Sequence, residues 1–185
     1  MWRAEFLVKL LADRPHAAGA EIGVRRADTS AHLLENLPGL LVLYCVDPWE
    51  YYQGMEQGCM KHGRWPNPAM SEGDRGIAMR RLGRFGERAV VLRLLSADAA
   101  LRIPDASLDF VFIDANHAYE FAREDIALWT PKVRPGGVVS GHDYNFNPEA
   151  KHGRPWGVKQ AADEAFPGRV QTGPDWVWWA EREGA

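Results

Sequence analysis

A chain of 185 residues, 46% apolar and 25% charged, has the size and balance of one globular domain with a sizeable core. Its net charge of −3 argues against nucleic acid held by electrostatics, and no stretch approaches the ~20 apolar residues of a membrane span. Cys45 and Cys59 lack metal-type spacing and read as free thiols of a cytoplasmic protein; the amino terminus, with Glu5 and Asp13 and no small-residue cleavage site, does not read as a secretion signal.

Trp2, Phe6, Leu7, Leu10 and Leu11 recur at helical spacing and predict an amphipathic helix over residues 1–14. Ala20 to Val24 reads as a short buried strand, Arg25 to Thr29 as a polar loop, and Ser30 to Asn36 as a helix stopped by Pro38-Gly39. The most apolar run, Leu40 to Val46, is the second strand and ends at Asp47-Pro48. Tyr51 to Ser71 mixes aromatic residues, glycines and prolines and reads as a functional loop, with a short helix around residues 52–60. Ile77, Met79, Leu82 and Phe85 mark a further helix, whose Arg80, Arg84 and Arg88 form a solvated face, and Ala89–Leu94 is the third strand.

Leu108 and Phe110 to Ile113 form a nearly continuous apolar run, the pattern of a strand buried on both faces of a sheet. It stops at Asp114, and a helix follows over Glu120–Trp129. Pro135-Gly136-Gly137 reads as a tight turn into a strand at Val138–Gly141, which ends in His142-Asp143-Tyr144. After a polar loop come a helix at Val158–Phe166 and a hairpin of Arg169–Thr172 with Asp175–Ala180. Strands alternating with helices imply a parallel sheet, here with an antiparallel edge.

In such a sheet ligands bind outside the carboxyl ends of the strands. Three of those ends carry chemistry. Gly23, two residues after Glu21, lets the backbone approach a ligand where a side chain would collide. Asp47 can accept both hydroxyls of a ribose, or serve only as a turn carboxylate before Pro48. Asp114 and His117, three residues apart, read as a site or as a turn whose aspartate caps the next helix. The G-x-G-x-x-G that seats a pyrophosphate is absent, which disfavours a dinucleotide.

In this order, and with Pro135-Gly-Gly-Val138, the motifs resemble the class I S-adenosylmethionine-dependent methyltransferases over roughly Ala18 to Phe166. The likeness is greatest to small bacterial enzymes whose fourth strand ends IDxxHxYE and whose fifth ends GHDY. Here these read Ile113-Asp114-Ala-Asn-His117-Ala-Tyr119-Glu120 and Gly141-His142-Asp143-Tyr144. The resemblance implies an α/β, Rossmann-like methyltransferase fold: a mostly parallel seven-stranded sheet of order 3-2-1-4-5-7-6, helices on both faces, and an antiparallel last strand. It implies one domain over 1–185, with 51–71 and 145–156 as substrate or lid loops. It also implies S-adenosylmethionine as cofactor and S-adenosylhomocysteine as product, held by Glu21, Gly23, Val24, Ser30, Asp47, Pro48, Ser96, Ala97 and Asp114. Gly23 would pack near the methionine part, Asp47 would hold the ribose, and Ser96 and Ala97 would flank the adenine; Ser96 reads equally as the N-cap of a short helix at Ala97–Leu101. Ala27 stands where many relatives carry a second glycine.

The strand-end carboxylates also resemble those of the divalent-metal enzymes, such as catechol and caffeoyl-CoA O-methyltransferases. Asp114 and Asp143 match their two aspartates, while Tyr144 replaces an asparagine, so His142 becomes the third ligand and Mn²⁺ or Zn²⁺ joins Mg²⁺ as a candidate ion. His117 falls where those enzymes carry a lysine base, which gives catalytic roles to His117, Asp114 and His142. The alternative is that both histidines only bond each other or Asp114 and organise the loop. Trp49, Tyr51, Tyr52, Tyr144 and Trp156 line an acceptor pocket or belong to the core. The Trp176–Trp179 cluster reads as edge-strand core or as the contact of a homodimer. The implied activity is O-methylation of a small-molecule acceptor with help from a divalent cation. The alternatives are a metal-independent transferase with His117 as base, and a catalytically silent cofactor-binding module that works with a partner.

Overall fold

The structure is a computed structural model, described over residues 1–14, 17–55, 68–145 and 156–184. Cys59, the helix expected around 52–60 and most of the two expected loops at 51–71 and 145–156 lie outside the described residues.

The helices are α1 (Arg3–Ala12), α2 (Asp28–Asn36), α3 (Pro68–Leu82), α4 (Ser96–Ala100), α5 (Tyr119–Trp129) and α6 (Val158–Ala165). The strands are β1 (Ala18–Ile22), β2 (Val42–Val46), β3 (Ala89–Leu92), β4 (Leu108–Ile113), β5 (Val133–Gly141), β6 (Gln171–Thr172) and β7 (Trp178–Glu181). They form one seven-stranded sheet of order β3-β2-β1-β4-β5-β7-β6. β1 to β5 run parallel, and β7 pairs antiparallel with both β5 and β6. The expected order and sense are those observed.

β4 lies at the centre and is buried along its whole length. Its alternation assigns side chains to the two faces: Val111 and Ile113 join Ala20, Ile22, Ile126, Trp129 and Trp178 in one core cluster. Phe110 and Phe112 join Leu7, Leu11, Leu33, Leu34 and Leu43 in the other. The Phe110 ring fits only because its β1 neighbour is Gly19, where a Cβ would lie 2.2 Å from the ring.

Several boundaries depart from expectation for physical reasons. β1 begins and ends two residues earlier than expected, because Gly23 at φ +92° turns the backbone out of the strand. α3 starts at Pro68 rather than near Ile77 and hands over to a 3₁₀ segment at Gly83–Arg88. β3 stops at Leu92, short of Leu94. Pro135-Gly136-Gly137 is no turn before the strand but lies inside β5, where Gly136 at φ +76° absorbs a bulge that shifts the β4–β5 register. The last strand begins at Trp178 rather than Asp175, since Asp175 and Trp176 are left-handed at φ 55° and 54°. Trp178 is core, whereas Trp176 is 45% exposed. Among the described residues no helix is long and apolar enough to cross a membrane.

Candidate active site

The carboxyl ends of β2, β1, β4 and β5 are knitted together beyond the ladder. Gly23 N–H donates to Val46 O (2.9 Å), Asp114 N–H to Ile22 O (2.8 Å) and His142 N–H to Ile113 O (3.1 Å). A Cβ at Gly23 would lie 2.1 Å from the Asp114 carbonyl oxygen, so the close approach this glycine permits is to the end of β4. Two cavities open on either side of it, of about 290 and 350 Å³, and both are bordered by Gly23, Pro48, Tyr52 and Ala115.

The smaller cavity is the more heavily lined with charged side chains. Asp114, at the end of β4, and Asp143, just past β5 at φ +61°, face each other across His117. His117 Nε2 is 2.9 Å from Asp143 Oδ2 and 3.3 Å from Asp114 Oδ1. His142 Nδ1 approaches the same carboxylates, 3.0 Å from Asp143 and 3.7 Å from Asp114. Burial alone would lower both imidazoles, but the bonds to the two carboxylates overcome it and raise His117 and His142 above the ordinary histidine range. Burial in turn pushes Asp143 up, and its bonds to the two rings more than reverse this, leaving it well below the usual carboxylate range. His142 Nε2 is buried without a hydrogen-bond partner among the described residues. Asp114 is not the cap of α5: that helix is entered through Ala118, whose N–H is taken by Asn116 Oδ1 at 3.1 Å.

Oxygen or nitrogen atoms of Asp114, His117 and Asp143 lie within 4.8 Å of one another, a donor set that suits a divalent ion. The third converging group is thus His117, with His142 beside it. Trp156 covers the His117 ring in a stack with centroids 4.1 Å apart and planes at 15°. The backbone next to it is pinned by a bond from Gly157 N–H to His117 O of 2.9 Å.

Of the remaining expected residues most line one cavity or the other, whereas Ser30 is fully buried and lines neither. Glu21 and Val24 are buried and line the smaller one. Burial drives the Glu21 carboxyl up to about 8, against the Ser30 hydroxyl that donates to it. Asp47 lines the smaller cavity, with Oδ2 accepting Arg25 N–H (2.8 Å) and Oδ1 accepting Trp49 N–H (2.7 Å). Trp49 is buried, its indole donating to Arg25 O at 2.7 Å. Ser96 and Ala97 line the larger cavity; Ser96 opens α4 without capping it, and its hydroxyl donates to Asp125 instead. Tyr51 is 61% exposed and lines neither cavity, and Tyr144 turns away to donate to Asp163 at 2.5 Å.

Arg3 and Asp125 are among the lining residues that lie outside the sequence motifs. Arg3, at the start of α1, brings its guanidinium within 3.5 Å of Asp114 while its N–H donates to Asp175 at 2.9 Å. Nothing local in the sequence announces this contact across the chain. Asp125 does leave a signal: it shares the buried face of α5 with Ala122, Ile126 and Trp129. A charge there calls for a partner.

The topology and strand-end carboxylates define a Rossmann-like methyltransferase fold. A family model described as a methyltransferase domain matches residues 20–144, and the chain belongs to that family. Comparison with curated protein sequences gives no match. Among solved structures, the chain is similar to an O-methyltransferase from Bacillus cereus in complex with SAH, at 18% identity and a TM-score of 0.67, covering 97% of this chain and 80% of that one. It is similar to the O-methyltransferase TomG from Streptomyces achromogenes, solved with SAM, at 19% identity and a TM-score of 0.64, over 98% of this chain and 80% of that one. The N-methyltransferase NodS from Bradyrhizobium japonicum WM9 matches at 14% identity and a TM-score of 0.62, over 98% and 95% of the two chains. At these identities the likeness is one of fold.

Proposed function

We propose that this chain is an S-adenosylmethionine-dependent methyltransferase that methylates an oxygen of a small acceptor with the help of a divalent cation. The observation that carries the reading is the pair of cavities meeting at Gly23, the larger apolar and the smaller closed by Asp114, His117 and Asp143. When bound, the cofactor supplies an activated methyl group and the cation a Lewis acid that lowers the pKa of an acceptor hydroxyl. The chain's own part is to bind and to align. Asp47 would take the ribose hydroxyls, and Asp114, His117 and Asp143 would hold the ion. Trp156, stacked on His117, keeps one face of that ring from water.

A second reading has one observation in its favour. The 2.9 Å contact of His117 Nε2 with Asp143 orients the imidazole as a base is oriented by a carboxylate, and in a metal-independent transferase His117 takes the acceptor's proton. Calorimetric titration with S-adenosylhomocysteine, repeated with Mg²⁺, Mn²⁺ and EDTA, tests both. Saturable binding with a metal-dependent heat supports the first reading, and it directs the acceptor screen to vicinal hydroxyl compounds. Binding and turnover indifferent to EDTA support the second. Binding without turnover over a broad acceptor panel leaves a cofactor-binding module that acts with a partner, and absence of binding refutes the cofactor assignment.

A further inference from the structure

We propose that Arg3 holds down the affinity of the smaller cavity for a divalent cation, because its guanidinium draws on the same carboxylate, Asp114. The inference rests on the cation reading above and adds to it the residue that opposes the ion.

Helix α1 begins at Arg3. The partial positive charge of a helix amino terminus disfavours a cationic side chain there, so the reason for an arginine lies outside the helix. Its Nε donates to Thr29 Oγ1 at 3.3 Å, and its Nη2 lies 3.5 Å from Asp114 Oδ2. Thr29 and Asp114 both line the smaller cavity, which places the guanidinium in its wall. Arg25 lines this cavity too, but it is committed to Asp74 at 3.1 Å, in a cluster that Arg26 tightens at 2.6 Å. Arg3 is held more loosely, since both of its contacts are longer than the ~2.7–2.9 Å of a good charge-assisted hydrogen bond.

Asp114 is also one of the three residues whose donor atoms converge for an ion, with His117 and Asp143. Its Oδ1 faces the two histidines and its Oδ2 faces Arg3, so a dication and the guanidinium would share one carboxylate. The Asp114 side chain is only 14% exposed, and water there screens the two positive charges poorly. Arg3 could instead serve Asp114 as an orienting partner, but removal of an orienting partner weakens ion binding. The two roles predict changes of opposite sign.

The test is calorimetric titration of the full chain with Mn²⁺ alone, for wild type, Arg3→Gln and Arg3→Lys. Arg3→Gln keeps a donor but no charge, and should bind Mn²⁺ at least about tenfold tighter than wild type. Binding by this variant with none detectable in wild type counts the same way. Arg3→Lys keeps the charge and should stay within about threefold of wild type. If wild type binds Mn²⁺ and Arg3→Gln binds it no tighter, the proposal is overturned and the cation reading stands. A gain as large in Arg3→Lys overturns it too, because charge would not be the agent. Absence of Mn²⁺ binding by all three proteins refutes the cation reading and the proposal together. The variants should fold, since the bond that fixes the start of α1 to Asp175 comes from the Arg3 backbone N–H. If Arg3→Gln does not, hydrogen exchange of wild type decides. By reciprocity, saturating Mn²⁺ must loosen the start of α1 and speed exchange over residues 3–7, and unchanged or slower exchange overturns the proposal.

Discussion

The two halves of the cleft meet at Gly23 and are built differently. Around the larger cavity Gly23 is the only lining residue with a positive φ, and the walls come from strand ends and one face of α5. Around the smaller cavity Arg25, Trp49 and Asp143 all have positive φ, at 52°, 45° and 61°, and the walls carry Glu21, Asp114, His117 and His142. Left-handed backbone at residues with side chains costs about 1–3 kcal/mol each and persists where surrounding contacts impose it. Strain and charge therefore sit together on the side where a reaction would occur. The side that would bind a purine is relaxed. One half holds a ligand by shape, and the other is arranged for chemistry.

The most severe way to break this arrangement is Gly23→Ala. A Cβ 2.1 Å from the Asp114 carbonyl, at a φ of +92°, forces β1 and β4 apart exactly where both cavities begin. The expected loss is about 3 kcal/mol or more of stability in urea denaturation, together with loss of ligand binding on both sides. A variant within about 1 kcal/mol of wild type would show that the strand ends yield easily.

Next in size is a change confined to the polar half. Asp143→Asn removes a carboxylate shared by His117 and His142. Turnover is expected to fall by on the order of 100-fold, while S-adenosylhomocysteine affinity stays within about twofold. Equal losses in both would mean that the halves are not separable. Asp47→Ala acts from the same half, beside Pro48, which borders both cavities. Loss of a charged acceptor should weaken cofactor binding by about 1.5–3 kcal/mol, and the Arg25 and Trp49 N–H groups lose their partner as well. Asp47→Asn keeps one carbonyl acceptor and should recover part of the affinity. Unchanged affinity in both variants would remove Asp47 from the ligand site.

These contrasts also explain what was legible in the sequence. The apolar run of β4 and its stop at Asp114 are local patterns, and they place the centre of the sheet and one carboxylate correctly. Asp143 follows from its own strand end in the same way. That His117 converges with the two aspartates, with His142 flanking them, depends on ring orientation. That orientation is set by the Trp156 stack and the Gly157 bond, contacts across about 40 positions of chain that no local spacing encodes. Arg3 reaches Asp114 only because α1 packs beside α2 at the sheet's edge of the site. The reading of Pro135-Gly136-Gly137 as a turn weighed composition correctly but could not register that the β4–β5 pairing absorbs the glycines as a bulge. Tyr51 and Tyr144 show the same limit, since an aromatic residue near a site can face either way.

The effect that is smallest in each single step, at most about 1.4 kcal/mol for one pH unit, isolates the buried acid beneath the polar half. Glu21 is 2% exposed, and burial holds its carboxyl at about 8 although Ser30 donates to it and Arg3 lies near. In the unfolded chain the same group ionises near the ordinary glutamate value of 4.5. Between these values the folded protein keeps a proton that the unfolded chain releases. This contribution to stability is therefore fully present below about 4.5, falls as pH rises, and is gone above about 8. The slope is at most about 1.4 kcal/mol per pH unit. Glu21→Gln retains an oxygen for Ser30 and cannot ionise, so its stability relative to wild type should rise steadily across that window. Taking the difference between the two proteins cancels every other titrating group, including Asp125, whose raised pKa slopes the same way. Urea denaturation of both proteins at several pH values checks this. Parallel curves between the two pKa values would mean that Glu21 is ionised in the fold, with Arg3 rather than a proton balancing its charge.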